Sequence, residues 1–305
     1  MAKSSPKKMA TLFIDIGSNS IKALLADFAG GKISRIAEYT QNSRISAGGT
    51  LKPDAAEIIF EAVGSLASSA KEARQDFGVF CFGTSALRDS PAAQNVLKDL
   101  KSRGVEIRVL SGEEEALLSF GGAMLDPNLG AEKSGSLVYA DLGGGSMEFV
   151  VCSGGKIAHM QSLPLGAVRL TNAFRQGAGL DRAALCAHCG RLLREIPAPE
   201  KPFKLVVAGG AVSAARFILG GGKMSEKTRL TIADFLEVLG VADALGAGGL
   251  EKKFGTPKNR SDILPAAFLC LIETLRRFGA EYLIHTQYSL RFGVAEKFFR
   301  GGLQA

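Results

Sequence analysis

Two stretches of the chain follow one pattern, and this repeat constrains the fold more than any other feature. Residues 13–33 read F-I-D-I-G-S-N-S-I-K-A-L-L-A-D-F-A-G-G-K-I, and residues 139–157 read Y-A-D-L-G-G-G-S-M-E-F-V-V-C-S-G-G-K-I. Each copy is an apolar run that closes on Asp, then apolar-Gly, two small residues, Ser, a second apolar run and Gly-Gly-Lys-Ile. Asp15 pairs with Asp141, Gly17 with Gly143 and Ser20 with Ser146. A buried strand that runs into Asp-x-Gly, turns and returns is a hairpin signature, and the Gly-Gly pair turns the chain again into a third strand. A fixed internal repeat decides architecture before any single motif does.

The remaining periodicity fills in two similar halves. Apolar residues at helical spacing predict helices over 53–72, 91–103, 112–124, 181–195, 231–239, 261–278 and 293–300. Short apolar runs predict strands over 78–82, 105–110, 205–208 and 282–285. The first half reads β-β-β-α-β-α-β-α and the second begins the same way, so the expected fold is α/β with two domains flanking a cleft. The turn-rich Asp126-Pro127-Asn128 sets the boundary, giving residues 1–127 and 128–305, the last helix able to pack back on the first domain. A length of 305 residues suits two domains at roughly 150 residues each.

Composition narrows the partners. Aromatics make up 7% with no Trp, which argues against a stacking platform for bases, so no nucleic acid is expected. The net charge of +7, from 37 basic and 30 acidic residues, admits a polyanionic ligand. Lys3, Lys7 and Lys8 lie in a Ser/Pro-containing head, residues 1–9, expected to be disordered. No apolar run reaches the ~18 residues of a spanning helix, so neither a membrane span nor a secretory leader is expected. The protein is expected in the cytoplasm, with Cys81, Cys152, Cys186, Cys189 and Cys270 as reduced thiols. Cys186-Ala-His188-Cys189 lies within a helical pattern without a second Cys pair, so it reads as packing rather than a metal or redox site.

The turns carry the chemistry. Asp141-Leu-Gly-Gly-Gly-Ser146 exposes consecutive backbone N–H groups and lets an anion approach without Cβ contacts, a nest for phosphate oxygens. Gly17-Ser18-Asn19-Ser20 offers the same turn with hydroxyl and amide donors added. An Asp ending each preceding strand can hold Mg²⁺ directly or through water. Ser111-Gly-Glu-Glu-Glu-Ala116 opens a helix, where acidic residues favour the dipole; successive residues point about 100° apart, so one carboxylate at most aims into a cleft. Such a carboxylate beside a phosphate can deprotonate an attacking water. Arg88, after a buried strand, suits two phosphate oxygens at once.

With these motifs the chain resembles the exopolyphosphatase and guanosine-pentaphosphate phosphohydrolase family, within the sugar kinase, actin and heat-shock chaperone superfamily. The resemblance runs from Phe13 to Gly293 and rests on Asp15-Ile-Gly-Ser-Asn-Ser20, Thr84-Ser-Ala-Leu-Arg88, Ser111-Gly-Glu-Glu-Glu-Ala116, Asp141-Leu-Gly-Gly-Gly-Ser-Met-Glu148, Arg260-Ser-Asp-Ile-Leu-Pro265 and Leu290-Arg-Phe-Gly293. It implies two actin-like (ribonuclease H-like) domains and release of orthophosphate from polyphosphate, with guanosine pentaphosphate as the alternative substrate. A kinase of the superfamily or a non-catalytic polyanion-binding protein are further alternatives. It implies Glu115 as general base with Glu114 as its neighbour. Asp15, Asp141 and Glu148 would arrange Mg²⁺, or Mn²⁺, and the water. Arg88, Gly17, Ser18, Asn19, Ser20, Gly143, Gly144, Gly145 and Ser146 would grip phosphates. Lys22, Arg44, Arg169 and Arg291 would surround the site, and a homodimer is an admissible assembly. Three departures stand out: an expected short form without a C-terminal HD-type domain, a shortened segment at 44–51, and Ala211 where Thr is usual.

Overall fold

The computed structural model describes residues 9–47, 50–177, 179–256 and 258–303. The basic head, up to residue 8, and positions 48 and 49 of the shortened segment lie outside the described residues.

The duplicated hairpins build two sheets of matching order. β1 (Thr11–Ile16), β2 (Ile21–Ala29) and β3 (Lys32–Gln41) form an antiparallel meander. A small ribbon of β4 (Ser46–Ala47) and β5 (Thr50–Leu51) leads to α1 (Ala55–Ala73). β6 (Gly78–Gly83) then joins β1 in parallel, followed by α2 (Ser85–Asp89), α3 (Ala93–Ser102), β7 (Ile107–Val109) and α4 (Gly112–Met124). The sheet order is β3-β2-β1-β6-β7. β1 is apolar on both faces and almost wholly buried, as a central strand covered on both sides requires. α1 buries Ala55, Ile59, Ala62, Val63, Leu66 and Ala70, a single helical stripe, against one face.

After a 3-10 segment (Pro127–Lys133) the pattern repeats as β8 (Ser136–Leu142), β9 (Met147–Ser153) and β10 (Lys156–Leu163). α5 (Ala167–Ala173), a ribbon of β11 (Arg175–Gln176) and β12 (Gly179–Leu180), and α6 (Arg182–Leu193) follow. β13 (Phe203–Gly209) joins β8 in parallel; α7 (Gly210–Leu219), β14 (Arg229–Thr231), α8 (Ile232–Phe254), α9 (Lys258–Ser261), α10 (Leu264–Phe278), β15 (Tyr282–His285) and α11 (Leu290–Phe299) complete the chain. The second sheet runs β10-β9-β8-β13-β15-β14. α10 is buried nearly all round, packed on α6 and α8. Cys270 of α10 meets Cys189 of α6 inside this core, and burial together with the neighbouring thiols pushes its proton affinity up.

Several elements depart from the sequence reading, which did not expect α2, α5, β14 or the β4–β5 and β11–β12 ribbons. α8 continues past the expected stop at residue 239, because Gly240 stays helical and the bend falls at Gly246, where φ is +61°. α7 was not expected; Gly209 at φ +124° redirects the strand into a helix. α11 begins at Leu290 rather than 293.

α11, from the second half of the sequence, lies on the first sheet. Phe299 and Phe298 pack edge-on to Phe13 with ring centroids 5.5 and 5.4 Å apart, and Phe299 stacks on Phe28. α11 also crosses α4 at glycines: a Cβ at Gly122 would overlap the Ser289 carbonyl, and one at Gly293 would overlap the Leu118 carbonyl. Next to this crossing the Thr286 hydroxyl donates to Asp126 Oδ2 at 2.6 Å, buried, tying together the two segments where the chain passes between halves. Gly293→Ala is therefore expected to destabilise the fold by about 1–3 kcal/mol, the usual range for overpacking. Urea unfolding reads this directly; an unchanged midpoint would show that the crossing tolerates a methyl group.

Candidate active site

The two Asp-x-Gly turns meet across a cleft of about 260 Å³. Each is closed by the same hydrogen bond: Gly17 N–H donates to Ser20 O at 3.2 Å, and Gly143 N–H to Ser146 O at 3.0 Å. The turns touch, since a Cβ at Gly144 would lie 3.1 Å from Ser18 Cβ. Gly17, Ser18, Asn19, Ser20, Gly143, Gly144 and Ser146 all line the cleft. Gly145 does not. A Cβ there would overlap the Ser85 hydroxyl, a Cβ at Gly166 would overlap the Gly145 backbone, and the Gly145 carbonyl accepts from Arg169 Nε at 2.7 Å. Gly145 is thus a packing requirement, placed at the back of the turn.

The strands that feed the turns carry the charges. In β1 and β2 Asp15 stands opposite Lys22; in β8 and β9 Asp141 stands opposite Glu148. The duplicated position thus holds a cation in one copy and an anion in the other. Burial pushes Asp15 and Asp141 up from the ordinary Asp range and Glu148 up to about 7; it pushes Lys22 down to about 8. Asp141 Oδ2 accepts from Ser119 Oγ at 2.5 Å, and Ser119 is 2.8 Å from the Tyr139 hydroxyl. Glu148 Oε1 accepts from Ser162 Oγ at 2.8 Å.

α4 sends its acidic first turn in two directions. Glu114 closes a capping box: its amide donates to Ser111 Oγ at 3.1 Å, its carboxylate accepts from Ser111 N–H at 3.0 Å, and Arg108 donates to its other oxygen. This corrects the expectation of Glu114 as a catalytic neighbour, for it faces the helix end and not the cleft. Glu115, one residue on, is 7% exposed and lines the cleft. Burial and the repulsion of Glu148 raise its proton affinity well above the ordinary Glu range, against the pull of Arg88, whose NH1 donates to Glu115 Oε2 at 2.7 Å. Arg88 sits on Glu115 rather than among the turns.

Of the surrounding cations, Lys22 and Arg291 line the cleft. Arg291 comes from α11 and donates to Glu38 at 2.8 Å, while its buried Nε has no partner among the described residues. Arg169 clamps Gly145 and Asp89. Arg44 bridges the cleft mouth, with two bonds to Asp262 at 2.8 and 3.0 Å. Arg44 is held at φ +39°, a left-handed conformation that its amide bond to Asn19 O and its Nε bond to Asn19 Oδ1 fix in place. Ser213, Thr286, Gln287 and Ser289 also reach the cleft, and sequence reasoning did not find them. Only the Ala208-Gly-Gly-Ala segment beside Ser213 gave a signal.

Hard oxygen donors at Asp15, Asp141 and Glu148 in a sheltered, electrostatically strained group suit Mg²⁺. Among the described residues no three such side chains close on one point.

The Arg44–Asp262 bridge is bidentate and three-quarters buried, with side-chain exposures of 24% and 25%. A double-mutant cycle with Arg44→Ala and Asp262→Ala is expected to give a coupling of about 1 kcal/mol, the upper end for partly exposed pairs. Strictly additive losses in urea unfolding would show that the pair does not tie the mouth together.

Comparison with known proteins gives the family and the fold. The chain matches the family model of the Ppx/GppA phosphatase family over residues 24–298. It is 33% identical over 182 residues to an uncharacterized Streptomyces coelicolor protein, covering 58% of this chain and 52% of that one. It is 30% identical over 172 residues to exopolyphosphatase 1 of Mycobacterium tuberculosis, covering 53% and 47%. Each alignment thus spans about half the length of the curated relative. Among solved structures, an exopolyphosphatase from Cytophaga hutchinsonii superposes with a TM-score of 0.81 at 19% identity, covering 96% of this chain and 98% of that one. The Aquifex aeolicus Ppx/GppA family member superposes with 0.74 at 22% identity, covering 97% and 99%. These likenesses establish the two-sheet actin-like fold, and the matched family model, spanning nearly the whole chain, establishes that the protein belongs to the Ppx/GppA phosphatase family.

Proposed function

We propose that the protein hydrolyses the terminal phosphoanhydride of inorganic polyphosphate and releases orthophosphate. The observation that carries this reading is Glu115, buried beside two phosphate-type turns with its proton affinity raised and one oxygen pinned by Arg88. A carboxylate so placed takes a proton more readily than an exposed one, and a base works best when its pKa lies near the operating pH.

The chain's own residues divide the work. The amides of Gly144 and Ser146 and the donors of Ser18, Asn19 and Ser20 hold the terminal phosphate, replacing its hydration shell with fixed dipoles. Glu115 Oε1 takes the proton of a water as the water oxygen bonds to the terminal phosphorus. The bridging P–O bond breaks, and the shortened chain leaves with the electron pair. Arg88 keeps the Glu115 carboxylate oriented and stabilises its anionic form before the transfer. Ser119 and Tyr139 hold Asp141, and Ser162 holds Glu148. Bound Mg²⁺, which Asp15, Asp141 and Glu148 would hold, supplies charge neutralisation and polarisation of the phosphoryl oxygens.

A second reading, hydrolysis of guanosine pentaphosphate, draws on one feature. Beyond Asn19 and Lys22 the cleft continues into an annex of about 70 Å³ lined by Ala167, Ala211, Ile263, Leu264 and Ala267, an apolar surface that a phosphate chain does not use. The main cleft is lined mostly by polar and charged groups, which favours the phosphate chain.

Phosphate release from long-chain polyphosphate with Mg²⁺, measured beside guanosine pentaphosphate, tests the proposal. A higher kcat/KM for polyphosphate is expected, and the reverse order would make the nucleotide the substrate. Glu115→Gln keeps the shape but cannot accept a proton, so turnover is expected to fall on the order of 10²–10⁴-fold with binding retained. A variant keeping more than about a tenth of wild-type turnover, far above what loss of a base allows, removes Glu115 as the base. Excess chelator is expected to abolish hydrolysis, and undiminished activity there would exclude the metal role of the three carboxylates.

A further inference from the structure

α7 opens directly onto the cleft. Its N-cap is Gly209, Arg260 lies against Gly210 and donates to the Gly210 carbonyl at 3.2 Å, and Gly209, Gly210, Ser213 and Arg260 all line the cleft. Ser213 is half-buried, and its hydroxyl has two neighbours: Gly209 O at 3.4 Å and His285 Nε2 at 3.3 Å. Behind His285 stands Arg216, whose NH1 lies 2.9 Å from His285 Nδ1. Arg216 is itself 8% exposed and anchored on the Ser225 carbonyl through Nε and NH2.

The row Arg216–His285–Ser213 resembles a serine–histidine–carboxylate arrangement in spacing but not in proton placement. There a carboxylate accepts from the imidazole, leaving the far nitrogen free to take a proton from serine. Here a guanidinium, which can only donate, occupies the carboxylate's place. His285 Nδ1 must therefore be the acceptor, and Nε2 carries the hydrogen and donates to Ser213 Oγ. The Ser213 proton is left to point elsewhere. Its acceptor within the protein is Gly209 O, at a distance near the limit of a hydrogen bond.

We infer that Ser213 is a substrate-contacting donor, aimed at an oxyanion of the phosphate chain away from the scissile end and held by His285 and Arg216 as positioning residues. The inference rests on the polyphosphate reading above. The row excludes Ser213 as an activated nucleophile, because His285 has no free lone pair to offer it. Burial and the neighbouring Arg216 charge push His285 down to about 3, so the arrangement stays fixed at neutral pH. The buried guanidinium and the N-terminal end of α7 both give this wall a positive potential suited to a negatively charged group.

Equilibrium titration with long-chain polyphosphate, which reads binding whether or not hydrolysis follows, tests the inference alongside steady-state kinetics. Ser213→Ala is expected to weaken binding and raise KM about 10-fold, the loss of one hydrogen bond to a charged acceptor, with kcat little changed. His285→Phe is expected to match it, and to add nothing in the Ser213→Ala background, since it acts through the same hydroxyl. His285→Gln, which keeps a donor near the Nε2 position, is expected to bind more tightly than His285→Phe. Binding by Ser213→Ala equal to wild type overturns the contact, and equal losses from His285→Phe in both backgrounds overturn the positioning role. Wild-type protein that binds polyphosphate without hydrolysing it sinks the hydrolase reading alone; wild-type protein that does neither sinks both.

Discussion

The close crossing of α4 and α11 is the contact on which the site depends. Gly122 and Gly293 let the two backbones approach to a distance that any Cβ would prevent. α4 buries Glu115, Ala116, Ser119, Gly122 and Ala123 on one face, so the same face that seats the crossing also aims Glu115 at the cleft and hands Ser119 to Asp141. α11 brings Arg291 to the cleft from the far end of the sequence. The Asp126–Thr286 hydrogen bond lies beside this pair, where the chain passes from one half to the other. A shift of the crossing would therefore move the base, a cleft cation and the floor between the halves together.

The electrostatics of the cleft follow from a duplication that did not remain symmetrical. Both hairpins keep the aspartate and the closing turn, but the residue across the ladder is Lys22 in one and Glu148 in the other. Four carboxylates, Asp15, Asp141, Glu115 and Glu148, gather where water is scarce, and gathering like charges there is costly. Lys22, Arg88 and Arg291 offset part of that cost. The residue of strain leaves the acidic groups with raised proton affinities, a state suited to accepting protons and cations.

Much of this was legible in the chain. The repeat gave the three-strand run that opens each half, because an apolar run closing on Asp-x-Gly with a return strand has few ways to fold. The Glu113–Glu115 run gave one cleft carboxylate and one cap, since neighbouring helical residues diverge by about 100°; which was which depended on the phase of α4, and that is set by the crossing with α11. Helix ends were less legible. The expected stop lay at residue 239, yet Gly240 stays helical and the bend falls at Gly246, which adopts a positive φ. Ser213 had only the neighbouring Ala208-Gly-Gly-Ala segment as a signal and His285 read only as the end of a strand, for lone polar residues in apolar runs carry no period.

The sequence by itself determined the local chemistry: two glycine-bearing turns, a strand-end aspartate at each, a capped acidic helix and enough apolar surface to close two sheets. Those are properties of neighbours in the chain, fixed by backbone conformation and side-chain spacing. Only the tertiary structure decided that Arg88 meets Glu115, that Arg44 reaches Asp262, that α11 returns to the first sheet and that Arg216 orients His285 toward Ser213. Each of these joins residues distant in sequence, and their meeting is set by the packing of whole helices and sheets, which no local pattern encodes.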